Sequence, residues 1–117
     1  MKFGRIGDRD HEVPVLIVED RYYDIQGIVP QLDGRAFESG ALALAKTAYE
    51  KGELNEIALD GQRIGSPIAR PGAIYCIGMN YAAHAAESGS EPPSTPILFL
   101  KSPNTISGPF DLSLIHI

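Results

Sequence analysis

Cysteine is almost missing from this chain: Cys76 is the single one in 117 residues. No disulfide can form within the chain, which fits a reducing compartment. Basic runs and a basic face are missing too. The net charge is −5 and the isoelectric point about 5.0. That balance argues against nucleic acid as a partner. Met1-Lys2-Phe3-Gly4-Arg5 lacks the apolar core of a signal peptide. The apolar run Val13-Pro14-Val15-Leu16-Ile17-Val18 is far too short to span a bilayer. The expectation is a soluble, cytoplasmic protein with no membrane contact. GxGxxG, HExxH and CxxC patterns are absent, as are internal repeats and low-complexity tracts.

What is present is an ordinary globular composition, 44% hydrophobic and 21% charged, with length for one domain. Twelve glycines and nine prolines predict many turns. Residues 2–7 and 13–18 read as strands. Glu19-Asp20-Arg21 reads as a turn that returns through Tyr22-Tyr23. Val, Ile and Tyr suit a pleated surface, so a small antiparallel meander is expected. Ser39 is placed to cap a helix through residues 41–51, with Gly52 as its stop. Leu42, Ala45 and Tyr49 fall on one stripe, the face that would pack on the sheet.

"GQRIGSPIARPGA", residues 61–73, is rich in Gly and Pro and reads as a connector. A strand then begins at Ile74, a helix follows over residues 81–88, and "GSEPPSTP" loops into a strand over residues 97–100. Asn80 is a favourable N-cap for that helix, and Gly89 suits the position after its C-cap. His84 and Glu87 then lie on neighbouring surface positions. A carboxylate bonded to one ring nitrogen fixes the imidazole tautomer and leaves the other nitrogen free to take a proton from water. The same spacing also occurs on many solvated helix faces. Lys101 ends an apolar strand. It is either a solvated cap on a buried run or a cation for an anionic substrate. Cys76 reads as core rather than nucleophile. His11 and His116 have no evident partner. Spacing alone supplies no metal-ligand set.

"IYCIGMNYAAHAAESG" followed by "PILFLKSPNTISGPFD" resembles the fumarylacetoacetate hydrolase family. That family joins an (I/V)-x-x-(I/V)-G-x-N-Y-x-x-H-x-x-E segment to a P-x-x-F-x-K strand and a Gly-Pro turn. Ile74, Ile77, Gly78, Asn80, Tyr81, His84, Glu87, Pro96, Phe99, Lys101, Gly108 and Pro109 all fall in register. The N-terminal stretch looks like the small N-terminal domain of the family's bacterial branch. The resemblance implies an enzyme acting on a 1,3-dicarbonyl acid such as an acylpyruvate, by C–C hydrolysis, isomerisation or decarboxylation. It implies a Mg²⁺ or Mn²⁺ ion held by an acidic triad, where chelation of an α-keto acid would stabilise an enolate. It also implies His84 and Glu87 as a catalytic pair on a lid helix, substrate contacts from Lys101 and Tyr81, and commonly a homodimer.

The family's Glu-x-Glu metal motif is expected after "GPFD", yet the sequence there reads Leu112-Ser113-Leu114-Ile115-His116-Ile117. No metal ligand is therefore assigned within the chain. The expected fold is α+β: an N-terminal β/α module (1–62), a connector (63–73) and the first elements of a mixed β roll (74–111), cut short. An unmatched tail (112–117) completes the division. The chain is expected to be the N-terminal part of a longer enzyme of this family, inactive by itself and prone to associate through unpaired strand edges. The reading from another class is a non-catalytic binding module in which His84 and Glu87 are relics.

Overall fold

The computed structural model describes residues 1–112. The chain is α+β and divides into two units, residues 1–71 with residues from 106 onward, and residues 72–105.

The first unit is built on an antiparallel meander. Strands β1 (Lys2–Ile6), β2 (Val13–Val18), β3 (Arg21–Asp24) and β4 (Glu56–Ile57) pair in that order. The expected return through Tyr22 and Tyr23 is present: Val18 faces Arg21 and Leu16 faces Tyr23. Only Glu19 and Asp20 form the turn, and both have positive φ, 48° and 64°. Such a turn matches the right-handed twist of the flanking strands, although neither residue is the glycine that this geometry favours. The two-residue strand β4 is too short to show a period in the sequence.

Two helices cover the sheet's apolar face. Helix α1 (Gly34–Glu38) starts where the Asp33 carboxylate accepts from the Arg35 and Ala36 amides, at 3.0 and 3.2 Å. The sequence reading missed this helix, because five residues carry barely more than one turn of periodicity. Helix α2 (Ala41–Glu50) is the helix expected over 41–51. Its N-cap is Gly40, with φ of 75°, rather than Ser39. Ser39 ends α1 instead, and its hydroxyl accepts only a long 3.4 Å bond from the Ala41 amide. Packing two short helices almost back to back assigns Ser39 to the first one. Gly52 does stop α2. It takes a left-handed φ of 70°, and the Gly52 and Glu53 amides bond back to the Tyr49 and Ala48 carbonyls.

Leu16, Ile25, Val29, Leu32, Ala36 and Ala45 make the buried core, with Leu42 and Tyr49 packed against it. The predicted stripe of α2 therefore faces the sheet. Burying a side chain such as Leu16, which is fully enclosed, stabilises the fold by about 2 kcal/mol. The Tyr23 and Tyr49 rings meet edge to face at 4.9 Å, joining β3 to α2.

The second unit holds β5 (Ile74–Gly78), α3 (Ala82–Glu87), β6 (Ile97–Lys101) and a 3₁₀ turn at Pro103–Thr105. β5 and β6 pair antiparallel, from Ile74 opposite Lys101 to Gly78 opposite Ile97. Side chains opposite one another share a face. Tyr75, Ile77, Leu98 and Leu100 thus form one apolar face, and all four are exposed.

Candidate functional site

The site residues suggested by the sequence all lie in the second unit. The chain leaves β5 at Gly78 and turns at Met79, whose φ is 47°. This left-handed step places Asn80 outside the helix, so Tyr81 is the N-cap and no side chain caps the first turn. The expectation that Asn80 caps α3 is corrected by that turn. At the other end Gly89 takes a φ of 67°, and the Gly89 and Ser90 amides bond to the Ala86 and Ala85 carbonyls, at 3.0 and 2.9 Å. This is the glycine-terminated closure expected from the sequence. Ala85 is fully buried and fixes one side of the helix.

His84 and Glu87 stand together on the solvent side of α3. His84 Nδ1 lies 3.9 Å from Glu87 Oε2, with the two side chains 62% and 78% exposed. That separation suits an ion pair with protonated imidazole but exceeds a hydrogen bond. Either side chain can close it by a rotamer change, since neither is walled in. Tyr81 is 74% exposed at the start of the same helix. Lys101 is exposed and pairs with Ile74, so it sits at one end of the β5–β6 ribbon. The chain departs for α3 from the opposite end, at Gly78. The structure thus brings His84 and Glu87 together and places Lys101 in a different part of the ribbon. Cys76 is half-buried and shares a face with Phe99, and among the described residues it is the one free thiol.

Among the described residues, no three His, Cys, Asp or Glu side chains cluster to hold a metal ion. The residues present therefore do not fit the divalent ion implied by the family resemblance. No helix among them is long and apolar enough to cross a membrane.

The first unit contains a charged cluster that sequence reasoning did not single out. The Arg63 guanidinium donates from Nε to Asp111 Oδ1 and from Nη2 to Oδ2, both at 2.6 Å, and from Nη1 to Glu12 Oε1 at 2.7 Å. Glu12 Oε2 accepts from Arg5 at 3.0 Å. Burial opposes ionisation of Glu12, but the Arg63 hydrogen bond and the Arg5 and Arg63 charges outweigh it and hold its pKa below the ordinary value. The Arg63 hydrogen bonds, then the Gly108 amide, hold the Asp111 carboxyl well below the usual carboxylate range. The hydrogen bonds to Asp111, then to Glu12, raise Arg63 above its ordinary value. Arg63 lies in the Gly- and Pro-rich segment read as a connector.

Comparison with known proteins bears out the family resemblance. Residues 73–116 match the family described as Fumarylacetoacetate (FAA) hydrolase C-terminal. The match includes His84, Glu87 and Lys101 and runs past Asp111 into the tail expected to be unmatched. Residues 113–117 of that tail lie outside the described residues. The chain is 38% identical over 114 residues to 2,4-didehydro-3-deoxy-L-rhamnonate hydrolase of Sphingomonas sp. (strain SKA58), covering 95% of this chain and 37% of that protein. A protein named as a hydrolase in Burkholderia ambifaria (strain MC40-6) is 37% identical over 112 residues, covering 95% of this chain and 39% of its own length. The chain thus spans well under half the length of the curated relatives it matches.

Proposed function

We propose that the chain forms the N-terminal part of a fumarylacetoacetate hydrolase family enzyme that cleaves a C–C bond in a 2,4-diketo acid of the acylpyruvate type. The observation that carries this reading is the His84–Glu87 pair on α3, inside the segment that matches the family. The name of the Sphingomonas relative supports the substrate class: a 2,4-didehydro-3-deoxy acid carries carbonyls at C2 and C4 around a methylene at C3. In hydrolysis, water adds to the C4 carbonyl as hydroxide. The C3–C4 bond breaks, and its electron pair goes to C3 as the enolate of a pyruvate. Protonation at C3 completes pyruvate, and the remainder leaves as a carboxylic acid.

In this reading Glu87 accepts a hydrogen bond from His84 Nδ1 and orients the ring. Nε2 then takes the proton of the attacking water. Tyr81 and Lys101 hold the anionic substrate. The family resemblance implies a divalent ion, Mg²⁺ or Mn²⁺, and no described residue of this chain is assigned to it. The working protein is a cytoplasmic homodimer. Incubating the parent-length protein with an acylpyruvate and with oxaloacetate, and identifying products by NMR, tests the proposal. Pyruvate plus a carboxylic acid from the acylpyruvate supports it. A rearranged diene acid, or decarboxylation of oxaloacetate alone, replaces it with an isomerase or a decarboxylase. No turnover of either compound favours a binding module.

A further inference from the structure

The charged cluster of the first unit joins stretches of chain that are remote in sequence. Arg5 lies on β1, Arg9 and Glu12 lie between β1 and β2, and Arg63 follows β4. Asp111 arrives after the whole second unit has intervened. The side chains of Arg5, Glu12 and Asp111 are nine-tenths or more enclosed, and that of Arg63 three-quarters. Asp111 receives both prongs of Arg63, the Gly108 amide at 2.7 Å and Arg9 at 3.4 Å. Its own amide donates to the Gly108 carbonyl at 3.2 Å, closing a tight turn.

Two glycines show that the surroundings are shaped for this arrangement. A Cβ on Gly108 would collide with the Ile64 carbonyl oxygen, so the turn is seated directly on backbone. A Cβ on Gly65 would come within 2.8 Å of the Glu12 carboxylate that Arg63 and Arg5 hold in place. Backbone bonds fix the platform: Gly7 donates to Arg63 and Gly65 to Arg5, both at 2.8 Å. Replacing a buried ion pair by apolar groups is often neutral, whereas removing one partner leaves an uncompensated buried charge.

We propose that residues 106–112 are a strap clasped by Arg63 to the N-terminal sheet. The second unit is then an excursion whose entry and exit are both anchored on one platform. This inference is independent of the proposed activity.

Hydrogen–deuterium exchange of the 117-residue chain, followed by mass spectrometry, tests the clasp. In the wild type the strap amides should exchange at least ten times more slowly than their intrinsic rate. Asp111→Asn and Arg63→Gln should each return the strap to within about threefold of that rate while α2 keeps its protection. The double variant should be no faster than Arg63→Gln alone, because that substitution already removes the contact to Asp111. A strap unprotected in the wild type, or single effects that add in the double variant, would overturn the proposal. Where a variant loses α2 protection as well, chymotrypsin digestion of the wild type decides. Phe110 is 81% exposed, yet a clasped backbone should resist cleavage there until the unit unfolds. A rapid cut after Phe110 in the folded chain would overturn the clasp.

Discussion

Arg63 grips both carboxylate oxygens of Asp111, 48 positions further along the chain, at 2.6 Å, and its third nitrogen holds Glu12. Both carboxyls are depressed in the folded state. Their contribution to stability is therefore fully present above the unfolded carboxylate range, about pH 4, and is lost as pH falls through the lower folded values. Urea midpoints of the first unit should be flat from pH 7 to 5 and fall steeply below pH 4. Asp111→Asn should lower the neutral midpoint and flatten that fall. An unchanged acid profile in the variant would show that the pair does not set it.

The core makes a second prediction. Leu16 is fully buried on β2 beneath the two helices. Leu16→Ala should cost about 2–5 kcal/mol, the range for a leucine truncation whose cavity only partly collapses. Denaturant titration followed by circular dichroism measures it. A cost below 1 kcal/mol would mean that this core is not formed in solution.

The turn between β2 and β3 predicts a gain. Asp20 holds a φ of 64° with no glycine to relieve it. Asp20→Gly should stabilise the hairpin by roughly 0.5–1 kcal/mol, the left-handed strain removed less the added freedom of the unfolded chain. Thermal unfolding of the two proteins compares them directly, and a lower Tm for the glycine variant would contradict the turn geometry.

These elements show what could be read in advance. Strands β2 and β3 were legible because Val, Ile and Tyr cluster between turn residues, and α2 because Leu42, Ala45 and Tyr49 repeat at helical spacing. Helix α1 and strand β4 were not, since neither is long enough to show a period. Capping was read correctly where glycine decided it, at Gly52 and Gly89. It failed at Ser39 and Asn80, where a neighbouring left-handed residue moved the boundary. His84 and Glu87 were legible because helical spacing fixes neighbours. The Arg63–Asp111 pair was not, because long-range pairing leaves no local pattern.

The ribbon of the second unit predicts association. Tyr75, Leu98 and Leu100 are each more than 60% exposed on one face. A contiguous apolar face beside open strand edges promotes self-association. Sedimentation of the 117-residue chain should show mass rising with concentration. Leu98→Glu with Leu100→Lys should suppress it. A wild-type monomer at all concentrations would remove the ribbon as an associating surface.

The His84–Glu87 pair is tested most directly by kcat and KM of the wild type and its variants in the parent-length protein. His84→Ala should lower kcat by about 10²-fold or more, the scale of removing a general base. Glu87→Gln should lower kcat by a smaller factor and leave KM unchanged, because an amide orients the imidazole less firmly than a carboxylate does. If Glu87 is only a solvated helix residue, its substitution changes stability by a few tenths of a kcal/mol and nothing else. A lower kcat for Glu87→Gln at unchanged KM is the predicted result, and kinetics superimposable on those of the wild type would contradict the catalytic pair.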